Sequence, residues 1–456
     1  MMKAAGIVAL LWFIVTNSIA QKFDTDTIVY NGNSDQHINL VILGDGYTIN
    51  ELSKFEADAT NFTTGYFEEI PYLNYKNYFN VFIIKVPSNE SGASHPGTAT
   101  DVQEPVIPVI MVDNYFGSTF DYAGIHRLLV ATKTTVISNV LASNFPDYDM
   151  VMIIVNSNHY GGSGGMYPVA SMHSASVKIS AHELGHSFAG LRDEYWAGDQ
   201  YAGEAINMTQ QTDLLRVRWG NWVGANSIGI FQHCCGGNSR LWYKPHQYCL
   251  MQNVEAHFCS VCVEGIVERI HSLVSPIKSS NPPDGIINDT IYPLKFKLDL
   301  ITPSPNTLKR IWTLNGALLK ENIDSVLIEK NDLLPGNSLS VSIEDTTQLL
   351  RVDNHIHIYY VRWSIGNSTT GVNTIAGSSS EISVFLYPNP TSGYLNIKSE
   401  GATGNIGFEI YDIQGRKVLS LGNVNSINLQ NLSPGTYFIR IYIDNDLVST
   451  RKIIRE

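Results

Sequence analysis

Ala181–Tyr195 reads AHELGHSFAGLRDEY. His182 and His186 stand at i and i+4, so on a helix they share one face, one turn apart. Two imidazole nitrogens placed this way hold a single Zn²⁺ at ~2.0–2.1 Å and leave a coordination position open for water. Glu183 follows the first of them, where its carboxylate can take a proton from that water and pass it on. Gly190 supplies the φ > 0 conformation that ends a helix. A chain that turns back there can aim Asp193 at the same metal. The pattern is HExxH, with Zn²⁺ as the expected cofactor and Glu183 as the expected general acid/base.

Upstream, Ile38–Leu43 (INLVIL), Tyr78–Val86 (YFNVFIIKV) and Asp149–Val155 (DMVMIIV) read as buried strands. Ile49–Glu69 and Ile125–Leu141 read as helices, and Val112–Asp121 as a surface loop. Strands alternating with helices imply an α/β (α+β) layer, mainly parallel. The glycine-rich Tyr160–Gly165 leads to Met166–Ser180, whose composition suits an exposed edge strand feeding the HExxH helix. Such an edge offers backbone groups to an extended substrate. Downstream, Met251 in Tyr248–Asn253 (YCLMQN) is placed for a turn beneath the metal ligands. Ser260–Val274 is expected to be the closing helix, with Val263, Ile266, Val267 and Ile270 on one face.

The whole chain has 456 residues, too many for one core, and a formal net charge of −12, which argues against a nucleic-acid or anionic-membrane partner. Met1–Ala20 reads as a secretory signal: Lys3, an apolar run over Ala4–Val15, and Ser18-Ile19-Ala20 with small residues at −3 and −1. No later segment is expected to span a membrane. All five cysteines fall between Cys234 and Cys262, and in an exported protein they are expected to form structural disulfides, with one thiol left over. Cys259-Ser-Val-Cys262 also resembles half a zinc knuckle.

Ser279–Gly285 (SSNPPDG) reads as a linker. Alternating runs over Thr290–Ile365 imply a β-sandwich at 286–372, in which His355 and His357 share a strand face without a metal role. Asn373–Ser380 reads as a second linker, and 381–456 as another small all-β unit with tight turns at Pro388-Asn-Pro390 and Asp412–Gly415. The expected order is thus a signal (1–20), a catalytic domain (21–278) and two β domains.

His182–Tyr195, taken with FGSTFDYAGIHRLL (Phe116–Leu129) and the later CLM…FCSVC pattern, resembles the bacterial IgA-peptidase family of metallopeptidases over about Asp26–Ser275. The resemblance implies a metzincin-like zincin, with His182, His186 and Asp193 as metal ligands and Glu183 as catalytic acid/base. One departure bears on Asp193. In the metzincin pattern the glycine lies three residues after the second His; here Gly190 lies four after His186, which turns the returning chain by about 100°. Glu194, His233 and His257 therefore stay open as third ligand. Asn253 stands where a tyrosine follows the Met, so the oxyanion partner is sought at Tyr195 or Tyr248. The segments YPNPTSGYLNI, YDIQGRKV and LSPGTYFIRI resemble the C-terminal sorting domain of the type IX secretion system. That implies the secretion machinery as a partner and a secreted or surface location.

The reading that follows is a monomeric, secreted zinc endopeptidase acting on a protein or peptide substrate. Its rival is a cell-surface binding or adhesion protein with a degenerate metallopeptidase domain; a third keeps the zinc but makes the protein an amidase of small substrates.

Overall fold

Ile38–Asp45 is buried at every residue because it is hydrogen-bonded on both sides and covered on both faces. In this computed structural model the described residues are 21–456, apart from 235, 289–290, 335–336, 352–356, 367–382, 388–390, 392, 401–404, 413–415, 423, 425, 444–445 and 456. The signal expected over Met1–Ala20 lies outside them, as do the second linker, His355 and both tight turns expected near the C-terminus. The chain divides into two units, Met1–Ser368 and Thr369–Glu456.

The first unit begins with β1 (Asp24–Val29), β2 (Ile38–Asp45), α1 (Leu52–Tyr66), α2 (Tyr72–Tyr75) and β3 (Phe79–Lys85). It continues through β4 (Ser118–Thr119), β5 (Val130–Ala131), α3 (Thr134–Asn144), β6 (Met150–Val155), β7 (Gly162–Ser163), β8 (Val169–Ser171) and α4 (Ser176–Ala189). One sheet runs β1-β3-β2-β6-β8-β7, parallel through its four inner strands and antiparallel at both edges. Alternation along β2 separates two cores: Leu40 and Ile42 face the layer of α1 and α4, whereas Val41 and Leu43 face α3. On α1, Phe55, Ala59, Phe62 and Tyr66 form the buried stripe. Small β9 (Phe231–Gln232) and β10 (Tyr243–Lys244) precede α5 (Ser260–Leu273), which closes the α4 side.

Three expectations change here. Helix α3 starts at Thr134, not Ile125, because Thr132 and Lys133 donate their backbone N–H groups to Gly117 and Phe116 and β5 pairs with β4, which requires extended chain. Phe116, Ser118 and Asp121 are buried rather than on the surface. The cause is Asp45, which ends β2 and accepts N–H bonds from Gly46, Phe116 and Ser118, each at 3.0 Å. The edge strand is β7, within the glycine run, while β8 is buried and Ser176–Ser180 already belong to α4.

The same unit continues with β11 (Ile277–Asn281), β12 (Gly285–Ile287), β13 (Leu294–Leu300), β14 (Leu308–Leu314), β15 (Ala317–Glu321), β16 (Ser325–Ile328), β17 (Asn337–Asp345) and β18 (Ile358–Ile365). Sheets β11-β13-β16 and β12-β18-β17-β14-β15 enclose one core centred on stacked Trp312 and Trp363. Much of Ser279–Gly285 is therefore strand rather than linker. His357 is buried in a turn just before β18. This region is fastened to the first sheet's helices by Asp345, which meets His271 and Tyr75, and to the turns before β9 by Arg351, whose guanidinium lies 4.2 Å over the Trp222 ring.

The second unit holds β19 (Ser383–Tyr387), β20 (Tyr394–Glu400), β21 (Ile406–Asp412), β22 (Lys417–Gly422), β23 (Ser426–Asn428), β24 (Gly435–Ile443) and β25 (Asp446–Arg455). They form sheets β19-β20-β23 and β22-β21-β24-β25 around a core that includes Leu395, Phe408, Ile439 and Ile453. The fold is mixed α+β. Among the described residues no helix is long and apolar enough to cross a membrane.

Candidate metal centre

Helix α4 carries His182, Glu183 and His186 and stops at Gly190, whose φ of +66° suits a residue without a Cβ. The N–H groups of Gly190 and Leu191 close the helix end on the carbonyls of His186 and Gly185. The chain then turns back across the same face.

That reversal brings Asp193 to the histidines. Asp193 Oδ1 lies 3.1 Å from His182 Nε2 and 3.3 Å from His186 Nε2, and the two Nε2 atoms are 3.2 Å apart. Tetrahedral zinc with bonds of ~2.0–2.1 Å would need ligand edges of ~3.3 Å. The triangle fits such an ion without movement. The imidazoles are oriented for it as well. His182 Nδ1 lies 3.0 Å from Leu250 O, and His186 Nδ1 lies 2.7 Å from Leu191 O. A carbonyl can only accept, so each Nδ1 carries the proton and each Nε2 turns its lone pair to the shared point. Asp193 Oδ1 is buried and receives no hydrogen bond there. Three electron-pair donors this close call for a cation. Burial works against charge on His182, yet the neighbouring Asp193 and Glu183 carboxylates outweigh it and lift the imidazole to about 9.

Glu183 stands beside the triangle, with a carboxylate oxygen within 4.8 Å of a ring nitrogen of each histidine. Burial raises its carboxyl above the ordinary range, against the pull of the two imidazoles and of Arg127. The glycine run passes directly over it: a Cβ at Gly164 would sit 2.5 Å from Glu183 Oε2. At Gly162 the outer side of β7 is already met by Leu128, and Ser163 Oγ donates to Leu129 O at 2.6 Å. Open backbone begins at Gly165, where an added Cβ would touch nothing, and Met166 is 80% exposed. Beneath the helix Met251 is fully buried, its Sδ 3.1 Å from where a Gly185 Cβ would lie.

The other residues raised for the third position lie elsewhere. Glu194 is buried among cysteine sulfurs. His257 is 80% exposed in its side chain and pairs with Glu69. His233 packs edge-on against Trp196. Tyr195 stacks on His182 with ring centroids 6.5 Å apart, and burial beside Asp193 and Glu183 pushes its phenol well up, so it keeps its proton. Tyr248 is exposed.

Two features escaped the sequence reading. Arg127, an exposed cation on the loop before β5, acts electrostatically on both Glu183 and Tyr195. Its signal lay only in the Phe116–Leu129 segment. Separately, His95, Glu104, Asp121 and His126 converge far apart in sequence, with N···O distances of 3.0–3.4 Å. The expected disulfides are absent among the described residues. Cys249, Cys259 and Cys262 are free thiols, and Cys235 lies outside those residues.

Residues 27–230 match the family model described as IgA Peptidase M64, and residues 385–456 match the Secretion system C-terminal sorting domain. No curated protein matches the chain. Among solved structures, dimeric latent PorU from Porphyromonas gingivalis is similar at 17% identity and TM-score 0.15, over 38% of this chain and 19% of that one. The central fibronectin-III array of RIM-binding protein is similar at 12% identity and TM-score 0.14, over 37% and 59%. A β-glucuronidase from Parabacteroides merdae is similar at 8% identity and TM-score 0.14, over 48% and 28%. The chain spans less than two thirds of each of these, and likenesses so slight do not bear on the fold. The family matches are more specific: residues 27–230, which carry the His182–Asp193 stretch, are similar to the M64 peptidase family, and residues 385–456 to the type IX sorting domain, which indicates export to the cell surface or extracellular space.

Proposed function

We propose that this protein is a secreted zinc endopeptidase that hydrolyses peptide bonds of extracellular proteins. The observation that carries the reading is the triangle of His182 Nε2, His186 Nε2 and Asp193 Oδ1, with edges of 3.1–3.3 Å and Glu183 beside it. These three residues would hold the metal. Zinc bound there supplies Lewis acidity, bringing the pKa of water towards ~7 and polarising the scissile carbonyl.

The protein's own groups divide the remaining work. Glu183 takes the proton of the attacking water and returns it to the leaving amine; its raised pKa suits it to hold that proton between the two steps. We assign to Arg127 and the protonated Tyr195 the stabilisation of negative charge developing on the carbonyl oxygen, a role their electrostatic influence at the site supports. Backbone from Gly164 to Met166 pairs with an extended substrate, and the absent side chain at Gly164 leaves Glu183 room to work. On this reading 21–278 is a zincin-like catalytic domain with Met251 in its metzincin-type turn, followed by β-sandwich modules at 286–372 and 381–456. Paired sheets around single cores support the latter.

The test is Glu183→Gln, which preserves shape and leaves the ligand triangle intact. Zinc content and thermal unfolding are expected to match the parent while kcat on casein falls by ~10²–10⁴. Parental turnover in that variant, or parental activity after chelation, would exclude the mechanism.

A further inference from the structure

Three cysteines beyond residue 230, where the peptidase family match ends, meet Glu194, which lies within it, in the interior. Cys249 and Cys262 are wholly buried, Cys259 is 7% exposed and Glu194 is 0% exposed. Their sulfur and carboxylate atoms lie within 4.8 Å of one another. Cys262 Sγ is 3.7 Å from both Cys249 Sγ and Cys259 Sγ. Glu194 Oε1 is 3.4 Å from Cys262 Sγ and 3.9 Å from Cys259 Sγ.

These lengths are informative. A disulfide requires ~2.05 Å between sulfurs. Tetrahedral zinc with Zn–S of ~2.3 Å and Zn–O of ~2.0–2.2 Å requires S···S edges of ~3.7–3.8 Å and S···O edges of ~3.5 Å. The cluster has the spacing of a metal site and not that of a bridge. It also contains an unmet demand: Glu194 Oε2 is buried with no hydrogen-bond partner. The surroundings suit an anionic ligand set. Cys259 N–H points at Cys249 Sγ at 3.3 Å, Asn207 Nδ2 donates to Glu194 Oε1 at 3.2 Å, and the buried Lys244 ammonium donates to Glu194 O at 2.6 Å.

We propose that Glu194, Cys249, Cys259 and Cys262 form a second, structural zinc centre that positions the first. The three thiols release their protons to solvent as the metal binds, and no redox change is involved. The connection to the first centre is direct. Glu194 follows Asp193, and its N–H donates to Met251 O at 2.7 Å. Cys249 precedes Leu250, whose carbonyl orients His182. Holding Glu194 and Cys249 on one ion fixes, relative to α4, both the carboxylate that completes the triangle and the carbonyl that sets a histidine.

The experiment uses the full exported chain, stripped of metal and reloaded with cobalt(II). Thiolate-to-cobalt charge-transfer absorption in the near ultraviolet is expected; neither the His182–His186–Asp193 triangle nor the His95–Glu104–Asp121–His126 cluster contains sulfur. X-ray absorption of the zinc form should show a sulfur shell at ~2.3 Å beside the nitrogen and oxygen shell. Cys259→Ser should abolish the charge-transfer band and weaken zinc binding at the triangle 10–100-fold, the range for groups that orient ligands. If that variant fails to fold, the cobalt spectrum of the parent chain decides. Absence of both sulfur signatures, or mass spectrometry showing a Cys249–Cys262 or Cys259–Cys262 disulfide in the zinc-loaded protein, overturns the second centre. Parental zinc affinity at the triangle in a folded Cys259→Ser chain overturns its positioning role. None of these readouts is peptidase activity, so each stands whether or not Glu183 proves catalytic.

Discussion

Asp345 is one anchor between the strand-rich region and the helices of the first sheet, and removing it has a calculable cost. Its carboxylate, 2% exposed, accepts from Tyr75 Oη at 2.6 Å, Thr307 Oγ1 at 2.6 Å, His271 Nε2 at 3.0 Å and Thr347 N at 3.0 Å. Tyr75 lies on α2 and His271 on α5, whereas Asp345 ends β17. In Asp345→Ala the buried Tyr75 and His271 donors lose their acceptor, at ~1–3 kcal/mol each. Breaking a buried charged network on one side costs ~3–5 kcal/mol, and that is the expected loss in urea unfolding followed by tryptophan fluorescence. Burial would raise the Asp345 carboxyl, but hydrogen bonds from His271, Thr307 and Tyr75 outweigh it and hold it below its ordinary value. A depressed carboxylate contributes fully above ~3.9 and loses that contribution as pH falls through its lower folded value. The gap between parent and variant should therefore be constant near neutrality and close only in strong acid. A loss under ~1 kcal/mol at pH 7, or a gap that widens on acidification, would refute this account.

Other perturbations test the site itself. Asp193→Ala should weaken zinc binding by more than the ~10–100-fold typical of outer-shell changes, read by competition with a chromophoric chelator. Gly164→Val places side-chain atoms against Glu183 Oε2, 2.5 Å from the added Cβ, so kcat should fall by up to the ~10²–10⁴ that a general base supplies while zinc content holds. Arg127→Ala should lower kcat/KM by ~10²–10³ without changing metal content, as loss of an oxyanion partner does. An unchanged rate would remove Arg127 from the mechanism.

What the sequence determined by itself is local and periodic. The i, i+4 histidines and Gly190 state a helix, its end and a shared face, because side-chain direction on a helix depends only on neighbours in the chain. The runs INLVIL and DMVMIIV likewise announce buried strands, and the alternation after residue 290 announces sheets with one apolar face. Tertiary structure decided whatever depends on approach from a distance. The extra residue before Gly190 left Asp193, Glu194, His233 and His257 all open as third ligand; packing of the returning chain against the Met251 turn sends Asp193 to the histidines and Glu194 to the cysteines. The surface loop expected over Val112–Asp121 turns alternate residues inward because Asp45, remote in sequence, supplies acceptors for its N–H groups. Cysteine spacing could not separate a disulfide from a metal cluster, since both need the same thiols. Only the 3.7 Å separations and the arrival of Glu194, far away along the chain, make that distinction.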